Sequence, residues 1–266
     1  MGKLITFWSP YKGHGMTTSS VCAIAGGFML QYPECKIAIS YTQQNTMSLA
    51  EKLDGRTSVY KRKELYENLG INALKMYIRQ MELTDEIIGR CGIPLQSKSV
   101  YFYPNIHTIG EEENIAFVIL TRQLKRSFDI VLLDLESDNK KGAVSYMKEA
   151  DFSIIMLPQE RAYVEAFLRE EKDFLEQVNY GIVFGGSFTG SKYSSAYYKK
   201  NTDKMLGGKI LGEIYQNAGF FDAMCSGKTL EFFLRNQRTV KKEENYEFIC
   251  QAKKTAESIG KKIIFT

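Results

Sequence analysis

Nowhere does the chain hold the roughly 18 to 20 consecutive apolar residues that a membrane-spanning helix needs, so a helical integral membrane protein is set aside. The N-terminal residues lack the apolar core and small-residue cleavage site of a secretory signal, and the expected location is the cytoplasm. Cysteine is sparse and unpaired: Cys22, Cys35, Cys91, Cys225 and Cys250 are odd in number, widely spaced and without a C-x-x-C pair. That excludes a disulfide framework and a zinc-ribbon type of site, and predicts reduced, mostly buried thiols. Charge of one sign is also missing in excess. With 35 Lys and Arg against 31 Asp and Glu the net charge is +4, and Lys140-Lys141, Lys199-Lys200 and Lys261-Lys262 are pairs and not patches. Nucleic-acid or membrane contact is thus permitted but not indicated. No internal repeat and no Pro/Gly/Ser linker divides the chain, and at 266 residues with 44% hydrophobic content one domain spanning 1–266 is expected.

What is present is organised around residues 3–20. A buried strand from Lys3 runs into a tight loop holding Gly13 and Gly15, then into a helix opened by Thr17 and Thr18. Glycine without Cβ can take positive φ and turn successive N–H groups toward an anion, and the helix N-terminus adds its dipole, so a phosphate site is expected here. Against the pattern G-x-x-x-x-G-K-[ST], Gly15 and Thr17 fit, Pro10 stands at the first glycine and Met16 at the lysine. A strand-to-helix turn that uses glycine only for geometry is the alternative.

Helical periodicity follows over Thr17 to Gln31 (Val21, Ile24, Ala25, Phe28, Met29), with a strand at Lys36 to Ser40, a βαβ unit. Residues 48 to 93 read as mostly helical, with an amphipathic face of Leu69, Ala73, Leu74, Tyr77, Ile78 and Met81. A short strand at Val100 to Tyr103 ends at Pro104-Asn105, and Glu112 to Arg126 is helical. Asp129 to Asp134 is an apolar run ending in a carboxylate, the form of a central parallel strand with a functional residue at its carboxyl edge. Helices near 143–149, 164–177, 220–224, 229–235 and 243–260 alternate with strands at 152–157, 180–184 and 209–214, and Gly185 to Ser195 reads as a loop. The alternation predicts an α/β fold, a doubly wound, mainly parallel sheet with helices on both faces.

Four segments together, Lys12-Gly13-His14-Gly15-Met16-Thr17-Thr18, Phe128 to Asp134, Ala150 to Pro158, and Ile210 to Tyr215 followed by Phe221-Asp222-Ala223 and Gly227-Lys228, resemble the ParA/MinD family of deviant P-loop ATPases. The TadZ/CpaE-like members are the subgroup most similar. The resemblance covers most of the chain apart from about 53–97, which reads as a helical insertion. It implies ATP or ADP with magnesium as cofactors, a nucleotide site over Lys12, Gly13, His14, Gly15, Met16, Thr17 and Thr18, and magnesium held by Thr17 with Asp134 as outer partner. It also implies a homodimer packed across the glycine loop, and protein partners in a secretion, pilus or partition system, with recruitment to the membrane or cell pole.

The departures are as specific as the matches. The family's K-G-G-x-G-K-[ST]-[ST] places its two lysines where Tyr11 and Met16 stand, with Lys12 one residue out of register. The water-positioning carboxylate matches Ser40 or Thr42, the base-contacting asparagine Gly185 or Gly186, and the prolines after the seventh strand Tyr215, Gln216 and Asn217. Loss of the lysine and of the water-positioning group removes most transition-state stabilisation for phosphoryl transfer. The expectation is weak ATP binding with impaired hydrolysis in a localisation or assembly factor. The alternative is a slow magnesium-dependent ATPase in which Lys12 replaces the missing lysine. For Thr17 a helix N-cap, for Asp134 a strand-end carboxylate, and for Lys12 and His14 plain loop residues are the competing roles.

Overall fold

The computed structural model describes residues 1–42, 48–53, 55, 69–79, 84–95, 99–103, 111–137, 140–171, 176–202 and 207–263. Eight strands form one sheet: β1 (Lys3–Trp8), β2 (Ile37–Tyr41), β3 (Ile93–Pro94), β4 (Val100–Tyr103), β5 (Ile130–Asp134), β6 (Phe152–Leu157), β7 (Tyr180–Ser187) and β8 (Ile210–Tyr215), in the order β3-β4-β2-β5-β1-β6-β7-β8. Every neighbouring pair is parallel except the two-residue edge strand β3 on β4. The central strands read as unbroken apolar runs because helices cover both of their faces.

Side chains alternate between those faces with the strand period of two. Ile5 and Phe7 of β1, Ile130 and Leu132 of β5, and Ile154 and Met156 of β6 point to one layer, where they meet α1 (Thr17–Gln31), α9 (Ala218–Cys225), α10 (Thr229–Arg235) and α11 (Tyr246–Ile263). Leu4, Trp8, Val131, Leu133, Ile155 and Leu157 point to the other, against α3 (Gly70–Arg79), α4 (Asp85–Cys91), α5 (Glu111–Ser127), α6 (Lys140–Glu149) and α7 (Arg161–Glu170). Helix α1 is apolar nearly all round because it is sandwiched between sheet and α11. A Cβ on Gly27 would stand 2.5 Å from the Ala252 carbonyl oxygen, so only glycine permits that approach. Two shorter helices, α2 (Ser48–Leu53) and α8 (Ser195–Asn201), complete the described structure.

Several sequence expectations need correction. The helix expected over 164–177 ends at Glu170, with residues 172–175 outside the described set. The loop expected from Gly185 to Ser195 is shorter: β7 continues through Ser187, and Ser194 caps α8 by accepting from the Tyr197 N–H. The stretch expected to be helical to Ile93 ends in β3. All five cysteines are free, but only Cys22 and Cys91 are buried, Cys35 and Cys250 being half-buried and Cys225 exposed. Met81, Pro104, Asn105 and the polar residues 43–46 lie outside the described residues.

Candidate functional site

After β1 the chain crosses to β2 on one side of the sheet, and after β6 it crosses to β7 on the other. The carboxyl ends of β1 and β6 therefore border a topological switch point, where open α/β sheets form ligand crevices. The loop of residues 9–16 leaves β1 at that crevice. It is closed on itself: the N–H groups of His14 and Gly15 both donate to the Tyr11 carbonyl, at 3.1 and 3.4 Å, and the Tyr11 N–H donates to Ser9 Oγ at 3.2 Å. Gly13 takes φ 77°, and Met16, at φ 46° and ψ 39°, is the only non-glycine residue with positive φ among the described residues. Met16, not Thr17, is the N-cap of α1, and no side chain caps the helix; the capping role considered for Thr17 is corrected accordingly.

Two neighbours brace this loop. From α7, Tyr163 places its ring 4.7 Å from that of Tyr11 and 5.1 Å from that of His14, the Tyr11 hydroxyl donates to the Tyr163 carbonyl at 3.0 Å, and His14 Nδ1 lies 3.3 Å from the Tyr163 hydroxyl. From β7, Gly185 lies so close that a Cβ there would stand 2.1 Å from the Gly15 carbonyl oxygen. At Gly186, with φ 63°, a Cβ would meet Met16 Sδ at 2.2 Å. Met16 therefore lies across Gly186, and Tyr11 is turned onto α7. Lys12 is exposed beside Gly13 and His14.

Asp134 ends β5 next to this loop, in register with Phe7 of β1, and is 1% exposed. Its Oδ2 accepts from the Thr18 hydroxyl at 2.7 Å, while its Oδ1 is buried without a partner. Thr17, the first residue of α1, is buried, and its hydroxyl makes no hydrogen bond to the protein among the described residues. Burial pushes the Asp134 carboxyl up to about 7, against the lowering effects of the Thr18 hydrogen bond and the charge of Lys52 on α2. Helix α2 is held there from below: the Thr229 hydroxyl donates to the Lys52 carbonyl at 2.5 Å, and the Gly55 N–H to the Gly227 carbonyl at 3.0 Å. At the two positions matched to the water-positioning carboxylate, hydroxyls serve the backbone. Ser40 donates to the Tyr103 carbonyl at 2.6 Å, and Thr42 Oγ1 accepts from the Glu136 N–H at 2.9 Å.

On the other side of Met16 a cavity of about 510 Å³ opens between α1, the ends of β7 and β8, and α9. Ile214, Phe220, Phe221 and Met224 supply apolar walls, Ser19 and Gln216 a polar edge. Ser20 lines it too, 1% exposed and with its Oγ unpartnered. Phe221 is 60% exposed and Met16 38% exposed, so both reach from the wall into solvent. Volume, apolar walls and a few convergent polar groups are the attributes of a small-molecule site.

A nucleotide divides into two halves against this geometry. The ring half fits, since the cavity offers apolar surface with Ser19 and Gln216 at its polar edge. The phosphate and metal half is incomplete: two loop amides are committed to Tyr11 and a thioether stands in place of an ammonium group, while the uncapped start of α1 and Asp134 Oδ1 remain without partners. Among the described residues no three His, Cys, Asp or Glu side chains are grouped to hold a metal ion. The structure thus brings Gly13, His14, Gly15, Met16, Thr17, Thr18 and Asp134 to one crevice, with Lys12 at its outer rim. Sequence reading missed Tyr163, Ser20 and the α9 wall. A tyrosine on the helix following β6 and a serine one turn into α1 carry no motif, and only the topology brings them to the loop.

No protein-family model and no curated protein matches the sequence. Solved structures do match the fold. The chain is similar to a ParA family ATPase of Chlorobium tepidum TLS, with a TM-score of 0.66 and 14% identity over 94% of this chain and 97% of that one. It is similar to the septum site-determining protein MinD of Pyrococcus horikoshii OT3 complexed with Mg-ADP, with a TM-score of 0.63 and 15% identity over 98% and 97%. The MinC:MinD cell division complex of Aquifex aeolicus gives 0.61 and 15% over 97% and 95%. At these identities the likeness is one of fold: this is the mostly parallel, helix-covered sheet of the ParA/MinD P-loop ATPases.

Proposed function

We propose that this chain is a ParA/MinD-like P-loop protein of the TadZ/CpaE-like kind with a degenerate phosphate loop, one that binds adenine nucleotide weakly, hydrolyses it poorly, and acts as a localisation or assembly factor. The observation that carries the reading is Met16. It occupies the place of the lysine that neutralises phosphate charge, and it is packed across Gly186 instead of being free to be replaced in function by a neighbour. The fold is that of proteins whose solved relatives include one complexed with Mg-ADP and one assembled with MinC, which supports nucleotide as ligand and proteins as partners.

Within that reading the chain is one P-loop domain carrying an insertion at about 53–97. Lys12, Gly13, His14 and Gly15 line the phosphate side. Thr17 and Asp134 are the groups that would hold magnesium, which when bound supplies charge neutralisation at the phosphates. Without the lysine and with Thr42 in place of a carboxylate, the protein's own residues neither neutralise the transferring group nor orient a water, so binding outlasts hydrolysis. The proposed homodimer meets across the glycine-loop face through side chains, without nucleotide as the bridge. Among the described residues no helix is long and apolar enough to cross a membrane.

Light scattering at micromolar protein, with and without ATP and magnesium, tests the assembly; a dimer under both conditions is expected, and a monomer under both contradicts it. A fluorescent fusion in the native cell tests the role. Discrete foci or polar accumulation are expected, and a uniform distribution contradicts a localisation factor.

A further inference from the structure

At the floor of the crevice the start of α1 has no side-chain cap, the Thr17 hydroxyl makes no hydrogen bond to the protein among the described residues, and Asp134 Oδ1 is buried without a partner. A cation reaches the same place from α2. Leu49 and Leu53, one turn apart, are buried in the core layer that holds Val21 and Cys22 of α1, and Lys52, three positions after Leu49, lies on the flank of that buried face. Its side chain is half-buried and makes neither a hydrogen bond nor an ion pair among the described residues, while its carbonyl is fastened by the Thr229 hydroxyl. Burial raises both the Cys22 thiol and the Asp134 carboxyl, and the charge of Lys52 is among the effects that oppose the rise in each. Cys22 lies one turn after Thr18 on the same face of α1, and Thr18 holds Asp134. An ammonium group felt at both stands at the inner wall of the crevice, beside the first turns of α1, whereas Lys12 stands at the outer rim. Withdrawn in part from water and without an ion-pair partner, it costs free energy that an anion placed beside it recovers.

We propose that Lys52 is a phosphate-binding residue of this site, meeting the inner phosphates that ADP and ATP share where they rest on the first turn of α1. This rests on the reading of the crevice as an adenine-nucleotide site, and goes beyond it by naming the cation. The loop itself offers a thioether at Met16, so the charge comes from a different element. Because Lys52 lies inside, it neutralises the phosphates that stay on the nucleotide and not the outermost group that would be transferred, and it orients no water. Affinity then comes without turnover. The competing role is purely structural: Lys52 offsets the buried Asp134 carboxylate and meets no ligand. The two roles differ in what a bound phosphate feels.

Isothermal titration of the full chain with ATP, ADP and adenosine, magnesium present throughout, separates them. Lys52→Gln should weaken ADP and ATP alike by about tenfold and leave adenosine unchanged, and Lys52→Arg, which keeps the charge, should stay within about threefold of the parent for all three. Lys52→Gln also removes a charge near Asp134, so a second measurement leaves the sequence intact: acylation of the unmodified chain by an amine-reactive ester, followed at Lys52 by mass spectrometry. ADP with magnesium and inorganic pyrophosphate should each slow the reaction at Lys52, and adenosine should not. Equal affinities of the parent and Lys52→Gln for ADP and ATP, or acylation at Lys52 that neither ADP nor pyrophosphate slows, would overturn the inference and leave the nucleotide site standing. Loss of ATP affinity with ADP unaffected would overturn it too, by placing the ammonium group at the terminal phosphate. Failure of both ADP and ATP to bind the unmodified chain would remove the nucleotide reading and the inference with it.

Discussion

The hydroxyl of Thr18 donates to the Asp134 carboxylate across 2.7 Å, tying the first turn of α1 to the end of β5 at the floor of the crevice. The bond satisfies one carboxyl oxygen and leaves the other, Oδ1, buried without a partner. A carboxylate so enclosed prefers its proton, and its environment holds it near 7 where an exposed aspartate would titrate near 4.

Between about pH 4 and 7 the folded chain keeps a proton on Asp134 that the unfolded chain has released, so this group's contribution to stability is full below pH 4 and is lost as pH rises through 7. The loss is on the order of 4 kcal/mol as an upper bound, since three pKa units separate the states. Asp134→Asn keeps an acceptor for Thr18 and has no proton to lose. The difference between the two proteins' unfolding free energies, measured by denaturant titration from pH 4 to 8, should grow with pH in favour of the variant; a constant difference contradicts the assignment.

Gly185 and Gly186 separate two kinds of close approach. A methyl group on Gly185 meets the Gly15 backbone oxygen, which cannot yield without moving the loop, whereas on Gly186 it meets the mobile end of Met16 in a left-handed backbone. Gly185→Ala should destabilise by about 2 to 3 kcal/mol and Gly186→Ala by about 1 kcal/mol. Urea midpoints check the order, and a neutral Gly185→Ala would show that the loop is not seated on β7.

Tyr163 fastens the loop by its ring more than by its hydroxyl, because Tyr11 donates to its backbone carbonyl. Tyr163→Phe should stay within about 0.5 kcal/mol of the parent and Tyr163→Ala should lose about 1 to 2 kcal/mol. Amide exchange at His14 and Gly15 should accelerate in the alanine variant alone. Equal exchange in all three proteins would mean that α7 does not brace the loop.

The sheet was readable in the sequence because burial on both faces writes each central strand as an apolar run: Leu4 to Trp8, Ile130 to Leu133 and Phe152 to Leu157 need no partner to be recognised. Strand β3 was not, since two residues carry no period. Helix α8 was not, because its start depends on Ser194 and on buried Glu213, whose carboxylate accepts from the Ser195 N–H and hydroxyl although the two lie 18 positions apart. In the site, Gly13, Gly15 and Asp134 were legible as types and places. Which threonine meets Asp134 was not: one position turns a helical side chain by about 100°, and the phase of α1 is set by the left-handed Met16, which propensity does not foresee.

Charge neutralisation and water positioning are separate requirements of phosphoryl transfer, so restoring them singly and together should be non-additive. Met16→Lys alone should bind ATP more tightly than the parent without turning it over, and Thr42→Asp alone should change neither binding nor turnover. Only the double variant should release phosphate measurably above background. A single substitution that restores turnover would show that the other requirement is already met in the unmodified chain.

If this chain keeps an ATPase fold without an ATPase's machinery, as proposed, phosphate release by the purified protein at saturating ATP and magnesium tests it most directly. The expected rate is indistinguishable from a control without protein, far below the roughly 1 per second at which ordinary enzymes begin, and unchanged in Lys12→Ala. Steady turnover that disappears in Lys12→Ala would contradict it and make Lys12 the working lysine of a slow ATPase.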